Sequence, residues 1–206
     1  MNANWAAENL QTIRTLMERA TVYRRALAPL MTFSGVVGIA AAAVGEAKHI
    51  HDSQTFARYW MVVSLVAFGG VMLLIRRQAL RDGEPFWSGP TRRVTQAVAP
   101  AFAAGMIAGV VFAWKVDGVE WTPFLPIIWV LCYGCALHSA GFFIPRGVRL
   151  LGWLFVLGGG GALLTILGRD LLSPRLSQPL MGGFFGVLQL GYGGYLYVTE
   201  RRRSQA

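Results

Sequence analysis

Six stretches of this chain are long and apolar enough to cross a bilayer, and they dominate every other feature of its sequence. They are Ala26–Gly45, Tyr59–Ile75, Val94–Trp114, Phe124–Ile144, Val148–Leu167 and Leu180–Val198. Apart from Arg149 at the very start of the fifth, none contains an Asp, Glu, Lys or Arg. A helix needs about 17 to 25 apolar residues to span the hydrocarbon core. Backbone N–H and C=O groups in lipid must be paired within the protein, so such segments fold as helices. The expectation is an all-α polytopic membrane bundle of six transmembrane helices, arranged as three hairpins. It is preceded by an amphipathic cytoplasmic helix over residues 1–25 and followed by a basic cytoplasmic tail over 199–206.

The composition agrees with this. Hydrophobic residues make up 54% of the 206 and charged residues only 14%, against about 25% charged in a soluble domain. Too little polar surface remains to coat a water-soluble globule. A net charge of +9 would ordinarily raise nucleic-acid binding, because Lys and Arg neutralise phosphates. Here the basic residues lie in short runs between apolar segments, which is a topology signal, and no nucleic-acid partner is expected.

One set of connections carries Arg14, Arg19, Arg24, Arg25, Arg76, Arg77, Arg81, Arg92, Arg93, Arg146, Arg149, Arg201, Arg202 and Arg203. The opposite set carries only Lys48, Arg58, Lys115, Arg169 and Arg175. Basic residues favour the cytoplasmic side, so both termini are expected inside. Tyr59, Trp60, Trp114, Trp121, Tyr195 and Tyr197 fall near span ends, where amphipathic rings prefer the headgroup zone.

The N-terminal segment is polar but periodic. Ala6, Leu10, Ile13, Met17, Ala20 and Leu27 recur at steps of three and four, forming one apolar stripe suited to the membrane surface or to another helix. The run Ala40–Ala43 imitates a signal-cleavage region. The long, Glu-containing stretch before the first span is unlike an n-region, so that span reads as retained. In the longest inner connection Gly83, Pro85, Gly89 and Pro90 break the helix, and Phe86 and Trp87 are suited to the interface. A faint repeat relates Ala26-Leu27-Ala28-Pro29 to Ala97-Val98-Ala99-Pro100.

Glycine, with 25 copies, is the most informative residue type. Gly105 and Gly109, and Gly182 and Gly186, are spaced to share one helix face, where missing side chains let backbones approach. These pairs read as packing faces within the bundle or as docking faces for another membrane subunit or a second copy. Gly158, Gly159, Gly160 and Gly161 run consecutively within the fifth span, marking either tight packing or a locally unwound segment.

Among polar groups within spans, His138, Gln189 and Tyr133 are the candidates. Cys132-x2-Cys135-x2-His138 looks like a metal or haem motif. Steps of three residues on a straight helix turn its outer members away from each other, so one metal cannot easily take all three. A hydrogen-bonded histidine answered by Gln189 or Tyr133 is the expectation there. His49 and His51, with Glu46 and Asp52, could gather an ion in the first outer loop. No cofactor and no catalytic residue is expected. The spans lack the carboxylates that proton-coupled carriers place at mid-membrane, and no nucleophile sits beside a base.

The second half contains Leu131-Cys132-Tyr133-Gly134, Ala140-Gly141-Phe142-Phe143, Pro145-Arg146-Gly147-Val148-Arg149 and Leu151-Gly152-Trp153. The end has Phe185-Gly186 and Gly191-Tyr192-Gly193-Gly194-Tyr195, and the start has Ile13-Arg14 and Met17-Glu18-Arg19-Ala20. Together these resemble a group of uncharacterised bacterial multi-span membrane proteins. The resemblance implies a six-helix fold in the bacterial inner membrane, in contact with lipid.

Three functions are expected, in order. The leading one is a non-catalytic accessory, regulatory or scaffold subunit acting through helix contacts. The alternative is a small carrier for a neutral or lipophilic solute, using a break at Gly158–Gly161 lined by His138 and Gln189. The third is a haem- or redox-linked membrane enzyme.

Overall fold

The structure, a computed structural model, describes residues 27–82, 89–143, 146–168 and 173–204. The amphipathic segment 1–25 and the pair Phe86 and Trp87 lie outside the described residues. Helices dominate, and no strand occurs among the described residues. They are α1 (Leu27–Ala47), α2 (Ser53–Asp82), α3 (Gly89–Lys115), α4 (Phe124–Ala140) and α5 (Arg146–Gly168). The last helix is composite: α6 (Ser177–Met181) passes through a π-helical segment (Gly182–Leu188) into α7 (Gln189–Ser204).

The ends of these helices follow from their caps. After α1, the N–H of Ile50 donates to the Gly45 carbonyl and that of His49 to Glu46, both at 3.0 Å, while His49 takes φ of 53°. This is a Schellman stop, in which the left-handed position usually falls to glycine. Asp52 then starts α2, its Oδ2 accepting the Thr55 N–H at 2.8 Å. Pro126 and Pro179 occupy first turns, where the missing N–H costs nothing. Pro100 alone sits deep inside its helix, α3.

Consecutive helices run antiparallel, as their contacts show. A β-carbon on Gly70 of α2 would strike the Phe33 ring of α1, while the Tyr59 hydroxyl, nearer the start of α2, reaches the Ala41 carbonyl at 2.6 Å. Arg58 of α2 donates to the Ala113 carbonyl of α3 at 3.0 Å, and Gly109 of α3 faces Met61. Gly105 and Gly109 face Trp129 of α4. Gly134 of α4 meets Phe155 and Val156 of α5, and Gly141 meets Arg149.

The last helix closes the ring. Its Phe184 and Phe185 pack on Phe155 of α5, with centroids 5.5 and 5.7 Å apart. On its other side Gly35 and Gly38 of α1 lie against the backbone of Leu190, Phe185 and Gly186. Two buried clusters result. One joins Leu27, Met31, Val130, Leu137, Leu151 and Phe155; the other joins Ala41, Phe56, Trp60, Ala113, Leu125 and Met181.

Outward faces are apolar too, with Leu65, Leu73, Leu80, Leu157 and Leu164 all exposed. Among the described residues, five helical stretches are long and apolar enough to cross a membrane: α1, α2, α3, α4 with the short helical turn before it (Val119–Ala140), and α5.

Candidate functional site

Where six helices close on one another, side-chain size decides whether the middle fills. Between α4, α5 and the last helix it does, because Phe155, Phe184 and Phe185 interlock there. Between α1, α2, α3, α4 and the last helix it does not. A cavity of about 270 Å³ remains, walled by Val37, Val63, Ala67, Ala101 and Met181. Gly38 and Gly105 also line it, and their lack of side chains helps to leave it open.

No Asp, Glu, Lys or Arg lines this cavity. Its polar groups are few: Ser34, Ser64, Cys132, Tyr133 and Gln189. The Ser64 hydroxyl is occupied by the Met61 carbonyl at 2.8 Å, within its own helix. Tyr133 and Gln189 form the polar floor. The Tyr133 ring is held by Phe155, Phe185 and Phe102, with centroids 5.0, 5.2 and 6.0 Å away. Its hydroxyl and the Gln189 side chain are polar groups of α4 and the last helix that line the cavity together. Gln189 is only 3% exposed, and its Oε1 has no hydrogen-bond partner. A buried amide oxygen left unpaired is costly, about 1–3 kcal/mol, and such groups are uncommon in well-packed interiors.

The π-helical segment explains how Gln189 comes to face inward. Gly182, Gly183 and Gly186 disfavour a regular α-helix here. A π turn takes up one extra residue, which rotates the residues beyond it by roughly 100° relative to a straight α-helix. Gln189 is the first of those residues.

One end of the cavity is shut. Trp60, which lines it, donates from Nε1 to Gln178 Oε1 at 3.1 Å, and Gln178 Nε2 donates to the Ile50 carbonyl at 3.1 Å. Beside this lid the buried hydroxyls of Ser53 and Thr122 lie 2.9 Å apart. They reach the carbonyls of Gly118 and His51 at 2.5 and 2.8 Å. On its flank the cavity is open. Phe68 of α2 and Phe102 and Met106 of α3 line it while remaining 59%, 46% and 43% exposed. The mouth therefore lies between α2 and α3, on the lipid-facing side.

The polar candidates read from the sequence divide here. Tyr133 and Gln189 meet at the cavity. His138 does not reach them: its ring packs edge-on to Phe142 and Trp153 at 5.4 and 5.3 Å, and its buried Nδ1 has no partner. Five residues separate it from Tyr133 on α4, well over one turn, so the two diverge. Cys132 lines the cavity and Cys135 is exposed. The rings of His49 and His51 lie 6.1 Å apart. Among the described residues no three His, Cys, Asp or Glu side chains could share a metal ion.

The glycines also separate. Gly105 and Gly109 make room for the Trp129 indole, whose Nε1 donates to the Gly105 carbonyl at 2.8 Å. Gly182 faces Ala42, and Gly186 faces Ile39 and Gly38. α5 is unbroken through Gly158–Gly161. Gly158 lies under Phe184 and Gly159 under Val130 and Leu131, whereas Gly160 and Gly161 have nothing within 4 Å. The irregular backbone is thus in the last helix, beside Gln189, and not in α5.

Sequence reasoning missed Trp60, Trp129, Phe185, Gln178 and Gly38. The nearest signal was Gly182-Gly183-x2-Gly186 followed three residues later by a lone Gln in an apolar run.

A helical bundle with five helices of membrane-crossing length and a lipid-facing, uncharged cavity has the make-up of a multi-pass membrane protein. No protein-family model matches the chain, and no curated protein or solved structure matches it.

Proposed function

We propose that this chain is a six-span protein of the bacterial inner membrane, with both termini in the cytoplasm, that binds and carries a neutral lipophilic molecule. The observation that carries this reading is the uncharged cavity of about 270 Å³ whose floor holds the unpaired Gln189 oxygen. Ligand sites are typically concave, mostly apolar, and fixed by a few placed polar groups. The carrier expectation has a break at Gly158–Gly161 lined by His138 and Gln189. Of these Gln189 lines the cavity, with Tyr133, and the irregular backbone that supports the reading is the π-helical segment. The composite last helix supports a sixth span, and the basic residues on alternate connections support the orientation.

The test is native mass spectrometry of the protein released gently from its own membrane. A small lipophilic adduct on the 22.5 kDa chain is expected. A bare chain would overturn the binding reading. Topology is checked separately by reporter fusions. Alkaline phosphatase should be active after Gly118 and inactive after Ala206, and the reverse would overturn the orientation.

A second reading, an accessory or self-associating subunit, is favoured by one observation. Gly160 and Gly161 of α5 and Gly191 and Gly194 of α7 have nothing within 4 Å, leaving small-residue faces open to a neighbouring helix. In the same experiment, a second polypeptide or a simple multiple of the chain mass without adduct would support that reading instead.

A further inference from the structure

Resting on the reading of the cavity as a binding site, we propose that its ligand is a long-chain aliphatic alcohol, admitted sideways from the bilayer between α2 and α3, whose hydroxyl docks on the Tyr133–Gln189 pair.

The headgroup follows from counting donors and acceptors. As placed, the Gln189 carbonyl oxygen has no partner, and the Tyr133 side chain lines the same cavity. The Gln189 oxygen is thus a neutral acceptor and the Tyr133 hydroxyl hydrogen a neutral donor. With the amide turned over, an amide N–H is the donor and the tyrosine lone pairs are the acceptor. Either way the floor offers one neutral donor and one neutral acceptor. An alcohol hydroxyl, itself one donor with acceptor lone pairs, satisfies both. An ether or ketone would satisfy only the donor. A carboxylate or ammonium would enter a low-dielectric site with no opposite charge among its lining residues.

The tail follows from the walls and the mouth. The lining is dominated by Val, Ala, Met, Phe and Trp side chains. A volume of about 270 Å³ holds about nine water-sized units, which matches an aliphatic chain of about that many carbons. Phe68, Phe102 and Met106 are both exposed and cavity-lining, so the chain reaches the site without leaving the lipid phase. The opposite end is sealed by the Trp60–Gln178–Ile50 hydrogen bonds, which disfavours a route from water on that side.

The experiment uses the full chain in lipid nanodiscs and three probes that share one bromoundecyl chain: ω-bromoundecanol, its methyl ether and bromoundecane. Bromine quenches tryptophan, and Trp60 and Trp129 line the cavity. The saturable part of the quench, displaced by unbrominated decanol, reports occupancy. The alcohol is expected to bind about tenfold more tightly than the ether, which leaves one buried group unpaired, and to exceed the alkane, which leaves both, by a larger factor. Gln189→Leu and Tyr133→Phe should each remove most of the alcohol's advantage over the alkane, with alkane binding still saturable. Saturable alkane binding shows the variants are folded. If all three probes bind the wild type equally, the hydroxyl inference is overturned while the binding reading stands. If none shows saturable quenching, the binding reading itself fails.

Discussion

The indole Nε1 of Trp129 donates to the Gly105 carbonyl at 2.8 Å, fixing a large side chain of α4 across the glycine face of α3. A β-carbon on Gly105 would lie 3.4 Å from the indole, an ordinary contact, whereas one on Gly109 would lie 3.0 Å from it. The other neighbour of Gly109 is Met61 Sδ at 3.3 Å, a side chain that yields easily. The held indole is therefore what resists. Gly109→Ala is expected to destabilise the protein by about 1–2 kcal/mol, the usual range for overpacking, and Gly105→Ala to be near neutral. Trp129→Phe should itself cost about 1 kcal/mol for the hydrogen bond, and more for lost contact area. In the Trp129→Phe background most of the Gly109→Ala penalty should disappear. Thermal unfolding in micelles followed by circular dichroism measures all four, and an additive cycle would show that Trp129 is not the obstacle.

Glycines in this bundle are not interchangeable. Gly186 places a hypothetical β-carbon 2.9 Å from the Ile39 backbone nitrogen, and Gly38 places one 2.9 Å from that of Gly186. Backbone cannot step aside as a side-chain tip can, so Gly38→Ala and Gly186→Ala should force α1 and the last helix apart. A loss of about 2 kcal/mol or more is expected, toward the upper end of overpacking. Gly160 and Gly161 meet nothing within 4 Å, and alanine there gains helix propensity of up to about 1 kcal/mol. Four single variants compared by the same melt decide this. A tolerated Gly38→Ala would mean that the α1 contact is looser than described.

This contrast also shows what was legible in the chain. The helices of α1 to α5 follow from hydropathy, because lipid leaves the backbone no alternative. The neighbours of each helix do not, because apolar faces alike in composition point both inward and outward. Val37 lines the cavity and Val36, beside it, is 53% exposed. Gln189 stood out as a polar residue in an apolar run, and it is at the site. His138 stood out for the same reason and is elsewhere, since spacing along α4 sets direction but not which helices lie in that direction. Four glycines in a row pointed to either tight packing or a break in α5; the helix continues, with Gly158 and Gly159 packed and Gly160 and Gly161 open. The π-helical segment arises where Gly182, Gly183 and Gly186 combine with close backbone contact to α1, a tertiary circumstance that local composition does not contain.

The start of α2 gives a prediction in pH. Asp52 caps that helix, and the Thr55 backbone N–H holds its carboxyl below the ordinary value of 3.8, with the Arg58 charge adding to the effect. A carboxylate whose folded pKa is depressed contributes stability that is complete above the unfolded pKa. That contribution is lost as pH falls through the folded value. The window therefore opens near pH 3.8 and extends below it. Asp52 is largely exposed, which keeps the charge contribution small, while the cap itself accounts for about 1 kcal/mol. Asp52→Ala should lose that amount at neutral pH. Asp52→Asn, an equally good cap, should match wild type at neutral pH and lose less of its stability between about pH 4 and pH 3. Identical acid profiles for wild type and Asp52→Asn would remove Asp52 from the acid response.

Gln178 is the most demanding polar residue in the bundle. It is 1% exposed, and one amide serves both the Trp60 N–H and the Ile50 carbonyl. Gly45 sits beneath it, where a β-carbon would come within 2.6 Å of the amide carbon. Gln178→Leu fits the volume but strands a donor and an acceptor, each costing about 1–3 kcal/mol when buried unpaired. A loss of about 2–4 kcal/mol is expected, larger than for any surface substitution. Removing the donor as well, in Gln178→Leu with Trp60→Phe, eliminates one stranded group, so the double variant should be less destabilised than the sum of the singles. Trp60 also lines the cavity, which links stability to the site. Once its anchor is lost, saturable quenching by ω-bromoundecanol should weaken in Gln178→Leu even at temperatures where the protein remains folded. Unchanged quenching in a folded Gln178→Leu would show that the lid and the binding site are independent.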